Sequence, residues 1–282
     1  MTALKTCKLT KDWVTPKLPN RPKNANKGTF GKVLVIAGSK NYPGSAYLAC
    51  AACYGVGAGL VTLATTPFVK QIVAKKLPEA TFLSFDEIFK KLLDYNVLLL
   101  GPGLGQNEQG VKFIKKLLEQ KLPKLVLDAD GLNTLSKTKN WWDKLKTDAV
   151  LTPHPGEMAR LTHLSIDEIQ SNRVDTAKRF AKAWNQVVVL KGANTVIASS
   201  NEIAVSPFVN PALATAGTGD VLAGIIAGFL AQGLSSFDAA CCGVYIHGMS
   251  AELVSKNLGD AGMIASDLLP VLPRVIKQLK AI

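Results

Sequence analysis

The sequence predicts an α/β fold, a mostly parallel sheet with helices on both faces. Three observations lead there. Short, fully apolar runs recur along the chain and alternate with helical segments, the pattern of strands buried on both faces. Nearly every polar or glycine-rich cluster follows the carboxyl end of such a run, the edge where open α/β sheets bind ligands. No linker interrupts residues 28–282, so that span reads as one domain, preceded by a basic N-terminal arm over residues 1–27.

The arm carries Pro16, Pro19 and Pro22 among many Lys and reads as extended and solvated. Lys27-Gly-Thr-Phe-Gly-Lys32 runs into the first strand, Val33-Leu-Val-Ile-Ala-Gly38. Ser39 to Ala46 reads as a loop, followed by a helix to about Tyr54. Leu60 to Ala64 is the next strand, and Pro67 opens a helix where its missing N–H costs least. Asp86 to Leu93 is a short helix. Asn96 to Leu100 is a strand ending in Gly101-Pro-Gly-Leu-Gly105, and Glu108 to Glu119 is an amphipathic helix. Lys124 to Asp128 is a strand that ends in Ala129-Asp130-Gly-Leu-Asn133. Ala149 to Thr152 is another, ending in Pro153-His-Pro-Gly-Glu157. Ser165 and Glu168 make a capping box for a helix to about Trp184. Gln186 to Leu190 is a strand ending in Lys191-Gly-Ala-Asn-Thr195, and a hairpin follows from Val196 to Val205. A loop of small residues then reaches Gly217 and becomes an apolar helix after Gly219. Two more helices, about Phe237 to Lys256 and Ser266 to Leu279, follow.

Composition narrows the class. The chain has 282 residues, 48% hydrophobic and 19% charged, enough for a sizeable core. The formal charge of +12 is spread over many segments, without aromatic interleaving or a nucleic-acid motif. It points to anionic small molecules rather than nucleic acid. The longest uncharged run, Ser45 to Val69, is broken by glycines and Pro67 and reads as a buried helix and strand rather than a membrane span. Cys7, Cys50, Cys53, Cys241 and Cys242 are an odd set with no signal-peptide pattern. They read as reduced core residues in the cytoplasm, and Cys50-Ala-Ala-Cys53 lacks the further ligands of a zinc site.

The chemistry concentrates in Ala214-Thr-Ala-Gly-Thr-Gly-Asp220. Gly217 and Gly219 let the backbone approach a ligand, and the helix start offers free N–H groups to phosphate. Asp220 beside such an anion site makes sense as a base for a hydroxyl while phosphate is transferred; the plain alternative is a capped, buried helix. Asp128 and Asp130 suit Mg²⁺ held partly through water, or an Asx turn with a helix cap. Two prolines aim His154 and Glu157 from a rigid turn: His154 toward a substrate, Glu157 toward Mg²⁺ or simply the next helix start. Lys191 and Thr195 suit phosphate, although a Lys ending a buried strand also snorkels to solvent. His163 and His247 lie in helical stretches and read as structural. Neither the dinucleotide fingerprint nor the P-loop pattern is present; at Gly101 the former fails because position 106 is Gln.

Together these clusters resemble the ADP- or ATP-dependent NAD(P)H-hydrate dehydratases. The matching pieces are Lys27 to Ser39, Tyr42-Pro-Gly-Ser45, Gly57-Ala-Gly-Leu-Val61, Gly101 to Gly105, Asp128 to Asn133, Thr152 to Glu157, Lys191 to Thr195 and Gly217-Thr-Gly-Asp220. They span about residues 24 to 280. The resemblance implies a ribokinase-like fold and repair of the S epimer of hydrated NADH or NADPH, whose ring hydroxyl is phosphorylated before phosphate leaves. It implies Asp220 as the catalytic base. It implies that Gly44, Ser45, Ala46, Gly103, Gly105, His154 and Asp220 contact the hydrated cofactor. Lys191, Gly192, Ala193, Asn194, Thr195, Gly217, Thr218 and Gly219 would hold ADP or ATP, with Glu157 and Asp128 reaching Mg²⁺ through water. Two residues depart from the pattern: Ser45 stands where Ala is expected, and Asn26 where His often precedes Lys-Gly. Some relatives carry an N-terminal epimerase domain that this chain has no room for, which implies a separate NAD(P)H-hydrate epimerase. The stand-alone bacterial forms point to ADP and a homotetramer. A kinase of a small alcohol and a non-catalytic nucleotide-binding regulator are the competing readings.

Overall fold

A computed structural model describes residues 6–281. Ten strands form one sheet: β1 (Thr6–Lys8), β2 (Lys32–Ile36), β3 (Leu60–Ala64), β4 (Thr81–Leu83), β5 (Val97–Leu100), β6 (Lys124–Leu127), β7 (Ala149–Leu151), β8 (Val187–Leu190), β9 (Val196–Ala198) and β10 (Ile203–Val205). Their order is β1-β10-β9-β8-β7-β6-β5-β2-β3-β4. Seven neighbouring strands, β8 through β4, run parallel, and only β9 pairs antiparallel with both its neighbours. The expected mostly parallel sheet and the Val196–Val205 hairpin are therefore present.

Side-chain alternation along the strands separates two cores. Val33, Val35, Val97, Val126, Val150 and Val189 pack on one face. Leu34, Ile36, Leu98, Leu100, Leu127 and Leu151 pack on the other. The valine face carries helices Pro43–Gly55 and Thr218–Ala231, both rich in Ala and Gly. Those helices meet backbone to backbone: a β-carbon at Gly224 would lie 2.3 Å from the Ala49 carbonyl oxygen. The leucine face takes bulkier partners, among them Trp141 and Trp184.

Several local expectations are corrected. The N-terminal segment is not a solvated arm from Thr6 onward, while residues 1–5 lie outside the described span. β1 pairs with β10, and Leu9, Val14 and Leu18 are buried. Trp13 packs edge-on against Phe237, and Lys17 pairs with Asp238 at 2.8 Å. The basic residues drew the eye, but three well-spaced apolar side chains decide where the segment lies. The helix expected from Ser165 to Trp184 is two, Ile166–Ser171 and Arg173–Trp184, because Asn172 leaves helical geometry. The last expected helix is likewise Ala265–Leu268 and Leu272–Lys280, divided around Pro270 and Pro273. The Ser39–Ala46 loop is shorter than expected, since Pro43 already starts a helix.

No described helix is long and apolar enough to cross a membrane. All five cysteines are free, and the four in helices are buried. Burial raises the Cys50 and Cys241 thiols well above their usual range, which suits inert core residues.

The topology places the ligand edge. β5 lies beside β2, so the chain reverses direction across the sheet at this pair. The loops after these two strands consequently meet. Gly38 N–H donates to Pro102 O at 2.8 Å, and the Ser39 hydroxyl donates to Gly103 O at 2.7 Å. Such a switch point opens a crevice at the carboxyl edge of the sheet.

Candidate active site at the carboxyl edge of the sheet

The Thr218–Ala231 helix reaches this edge with its N-terminus. It begins at Thr218, two residues before the start expected from sequence. Gly217 precedes it with φ +90°, and a β-carbon there would strike Leu48 at 2.6 Å. Both facts require glycine. The Thr218 hydroxyl turns back onto Leu213 O and Thr215 O, at 2.9 and 3.0 Å, and fastens the loop to the helix. Asp220 stands in the first turn.

Beside that turn lies a buried ionic cluster assembled from three strand ends. Asp128, 1% exposed, follows β6. Its Oδ1 accepts from Lys191 Nζ at 2.6 Å and from the Thr152 hydroxyl at 2.7 Å. Lys191 ends β8 and stands 3.7 Å from Glu157 Oε2. A β-carbon built on Gly219 would be 3.4 Å from Lys191 Nζ and 3.9 Å from Asp128 Oδ2. The lysine therefore lies against the first turn of the helix that carries Asp220.

One lysine serves three carboxylates, and the proton affinities follow. Burial pushes Asp220 up to about 6, and Asp128 adds to the rise. A hydrogen bond from Ser45 and the charge of Lys191 act against it. Burial likewise raises Glu157 to about 6, opposed first by Lys191. Burial alone would depress Lys191; Asp128 and Glu157 outweigh it and hold the ammonium above its ordinary value.

His154 caps the Pro155–Thr162 helix. Its Nδ1 accepts from Gly156 N–H at 3.0 Å, and the His154 main-chain N–H donates to Glu157 Oε2 at 2.8 Å. Burial, then Lys191 and Arg160, hold its imidazole below the usual pKa, so the ring is neutral near pH 7. Half of the side chain is exposed. Glu157 is thus both the cap that one sequence reading gave it and a partner of the ionic cluster.

Asp130 has a different task. Its Oδ2 accepts from Gly105 N–H at 2.7 Å, and Gln106 Nε2 donates to its Oδ1 at 3.1 Å. It secures the loop carrying Gly103 and Gly105. Gly103 lies against Ser45, where a β-carbon would be 2.7 Å from Ser45 Cβ. Ala46, expected to contact the hydrated cofactor, is fully buried. Gly44 faces open space.

A cleft of about 550 Å³ opens on the other side of the helix start. Lys191, Gly192, Ala193, Thr195, Thr218 and Gly219 form its polar end. Phe208, Val209, Leu213, Leu222 and Val244 form its apolar end. Asn194, with φ +50°, turns its amide onto Ser206 O at 3.0 Å and shapes the loop from outside the lining. Gly217 is also outside it. The expected nucleotide residues thus separate into six that line the cleft and two that shape it. Ser45 meets Asp220 and the Gly103 loop, and none of the expected hydrated-cofactor residues lines the cleft. A groove of about 620 Å³, lined in part by Trp142, Asp148 and Gln186, sits at the opposite edge of the strands, away from this cluster.

Among the described residues, no group of three or more His, Cys, Asp or Glu side chains converges on one point. The site offers no protein cage for a metal. Its acids, most of them already holding a lysine or a main-chain N–H, fit a Mg²⁺ carried in by phosphates and touched through water.

Sequence reasoning missed Thr152, Asp130 as a loop anchor, and His247, which lines the cleft. Thr152 was visible as a polar residue ending a strand; nothing near His247 in sequence marked it.

Fold and cluster together define a ribokinase-like protein. A crystal structure of a ribokinase-like superfamily protein from Enterococcus faecalis matches with a TM-score of 0.87 and 30% identity, over 97% of this chain and 96% of that one. Within that class the chain belongs to the NAD(P)H-hydrate dehydratase family, whose family model matches residues 33–274. It is 35% identical to the ADP-dependent (S)-NAD(P)H-hydrate dehydratase of Bacillus subtilis, over 96% of this chain and 98% of that relative. The crystal structure of the ADP/ATP-dependent NAD(P)H-hydrate dehydratase from B. subtilis, co-crystallised with ATP/Mg²⁺, matches with a TM-score of 0.88 over 98% of this chain and 100% of that one. A bifunctional NAD(P)H-hydrate repair enzyme of Moorella thermoacetica is 39% identical over 96% of this chain. The chain spans about half the length of such bifunctional relatives, 54% in that case.

Proposed function

We propose that this chain dehydrates the S epimer of hydrated NADH or NADPH at the expense of ADP or ATP. The observation that carries the reading is the position of Asp220. Its half-buried carboxylate stands in the first turn of the helix whose Thr218 and Gly219 line a nucleotide-sized cleft, and it meets Ser45, which lies against Gly103. A hydroxyl brought to Ser45 is within reach of that base and of a phosphate in the cleft.

The chemistry then follows from the groups present. Asp220 takes the proton of the ring hydroxyl as its oxygen attacks the terminal phosphorus, and the shortened nucleotide departs with the bridging electron pair. Lys191 and the free N–H groups of the Thr218–Ala231 helix offset the charge on the transferring phosphoryl group. Mg²⁺, when bound, adds positive charge between the phosphates. The ring nitrogen next expels phosphate together with the C–O bonding pair, and loss of the neighbouring C–H proton restores the dihydronicotinamide. His154, neutral and aimed by two prolines, is the orienting contact for the hydrated ring or its amide.

The reading includes a cytoplasmic setting, a homotetramer and a separate epimerase that supplies the S epimer. The bifunctional names of half-matching relatives support a second activity carried outside the span aligned here. The deciding experiment supplies hydrated NADH, or a panel of small alcohols, with nucleotide and Mg²⁺. Recovery of dihydronicotinamide absorbance supports the dehydratase. A stable phosphorylated alcohol, with no recovery, supports the kinase reading instead.

His154→Ala should lower kcat/KM for the hydrated cofactor by about tenfold, the loss of one to two hydrogen bonds. Nucleotide affinity should change less than about threefold, because His154 does not line the cleft. Equal losses for both ligands would make the turn structural.

Acidification gives a second test. Asp220 and Glu157 both titrate near 6, so kcat/KM should fall below pH 6, approaching tenfold per unit. Stability behaves oppositely. Both acids are raised above their unfolded values, so the folded state binds their protons more tightly, and their contribution to stability grows as pH falls through about 6. Rate profiles and thermal melts between pH 7 and 5 should therefore diverge. A parallel fall would mean that acid inactivation is unfolding.

A further inference from the structure

The fold gives His247 more than a place in the core. It is 8% exposed on the Ser236–Leu258 helix, and it lines the cleft beside Thr218, Gly219 and Leu222. Its Nε2 is buried with no hydrogen-bond partner among the described residues. Ser250, fully buried and three residues further on, also has a hydroxyl without a partner. Buried polar atoms in native proteins are rarely left this way without a ligand or water to meet them.

The other polar side chains on the cleft wall are already engaged. The Thr195 hydroxyl donates to Gly192 O at 2.9 Å, and that of Thr218 to Leu213 O at 2.9 Å. Asn210 Nδ2 donates to Glu252 and Ser255, both at 3.1 Å. Ser206 Oγ accepts from Phe208 N–H at 3.3 Å, and Lys191 is held by Asp128. His247 alone on this wall keeps a buried side-chain atom open.

The state of the ring limits what it can take. Burial pushes its pKa down to about 4, with the Thr218 main chain pulling the other way. A neutral imidazole has one N–H. With that proton on Nδ1, Nε2 is a lone-pair acceptor. It therefore suits a hydroxyl donor and not a phosphate oxygen. A ligand with phosphate at the Lys191–Gly219 end and a flat apolar group at the Phe208–Leu213 end carries its sugar between them, past this wall.

We propose that His247 belongs to the nucleotide site, its Nε2 accepting a hydrogen bond from a ribose hydroxyl. The assignment rests on the nucleotide reading of the cleft. Calorimetric titration with ADP, 2′-deoxy-ADP and 3′-deoxy-ADP tests it on the wild-type chain and on His247→Phe and His247→Gln. The wild type should bind ADP about threefold to tenfold more tightly than one of the deoxy analogues, the range for one hydrogen bond. His247→Phe should lose that factor for ADP and no longer distinguish the analogue. His247→Gln, which keeps an acceptor, should recover part of both. Where thermal melts show that the Phe variant misfolds, His247→Leu takes its place and should likewise lose the discrimination, with no change for the other analogue. Discrimination retained in both variants, or no discrimination in the wild type, overturns it while leaving the nucleotide reading intact. A wild-type chain that binds none of the three would overturn both.

Discussion

Asp220→Asn is expected to fold, to bind nucleotide and to lose at least about a hundredfold in turnover, the lower end of what general-base help supplies. Asn keeps the size of the side chain and can accept the Ser45 hydrogen bond, but it takes no proton. It also relieves a folded state that holds this carboxylate above its ordinary pKa. The variant should therefore melt no lower than the wild type at pH 7. Single-turnover kinetics, with a melt and an ADP titration as controls, measure the effect. Turnover within a few-fold of wild type would show that Asp220 is a helix-start residue and that the proton goes elsewhere.

Lys191→Met should damage both binding and stability. From sequence, loss of this lysine is expected mainly to weaken nucleotide binding. The structure adds a second consequence, because Asp128 is 2% exposed at its side chain and holds Lys191 at 2.6 Å. Removing the lysine strands a buried carboxylate, which typically costs about 3–5 kcal/mol and should lower the melting temperature by on the order of 10 °C. Adding Asp128→Asn removes the stranded charge while retaining an acceptor for Thr152. The double variant should regain most of the lost stability at pH 7, yet bind ADP no better than Lys191→Met. A single variant that melts within a degree or two of wild type would mean that Asp128 finds its compensation elsewhere.

The sequence made some of this legible because parallel strands bring their carboxyl ends together. Once the apolar runs were placed, Asp128, Thr152, Lys191 and the Gly217 loop had to share an edge. Their pairing was not legible. Which of several acids Lys191 would meet depends on side-chain reach across β6, β7 and β8, and nothing local encodes it. The Ser45 hydroxyl reaches Asp220 only because their two helices pack against each other. β1 escaped notice for another reason: at three residues, with two of them exposed, it lacks both the length and the apolar pattern that mark a strand. Asn172 broke an expected helix without a Pro or Gly to announce it. His247 looked structural because one imidazole in an apolar helix carries no sign of what faces it.

The pairing of β1 with β10 also bears on how the chain is made. The segment after β1 is fastened far along the sequence: the Thr15 hydroxyl donates to Leu279 O, 264 residues away. A ribosome adding about 5–20 residues per second needs roughly 10 to 50 seconds to supply that partner. Through this interval Leu9, Val14 and Leu18 have nowhere to go, although they were synthesised early. The strands of the nucleotide edge, paired with near neighbours, can form before them. The first described strand therefore waits for β10, about 200 residues further along, before it can dock. Until then β1 is an unpaired strand that can meet the β10 border of a neighbouring copy, so crowded polysomes are where exchange of N-terminal segments between copies is most favoured.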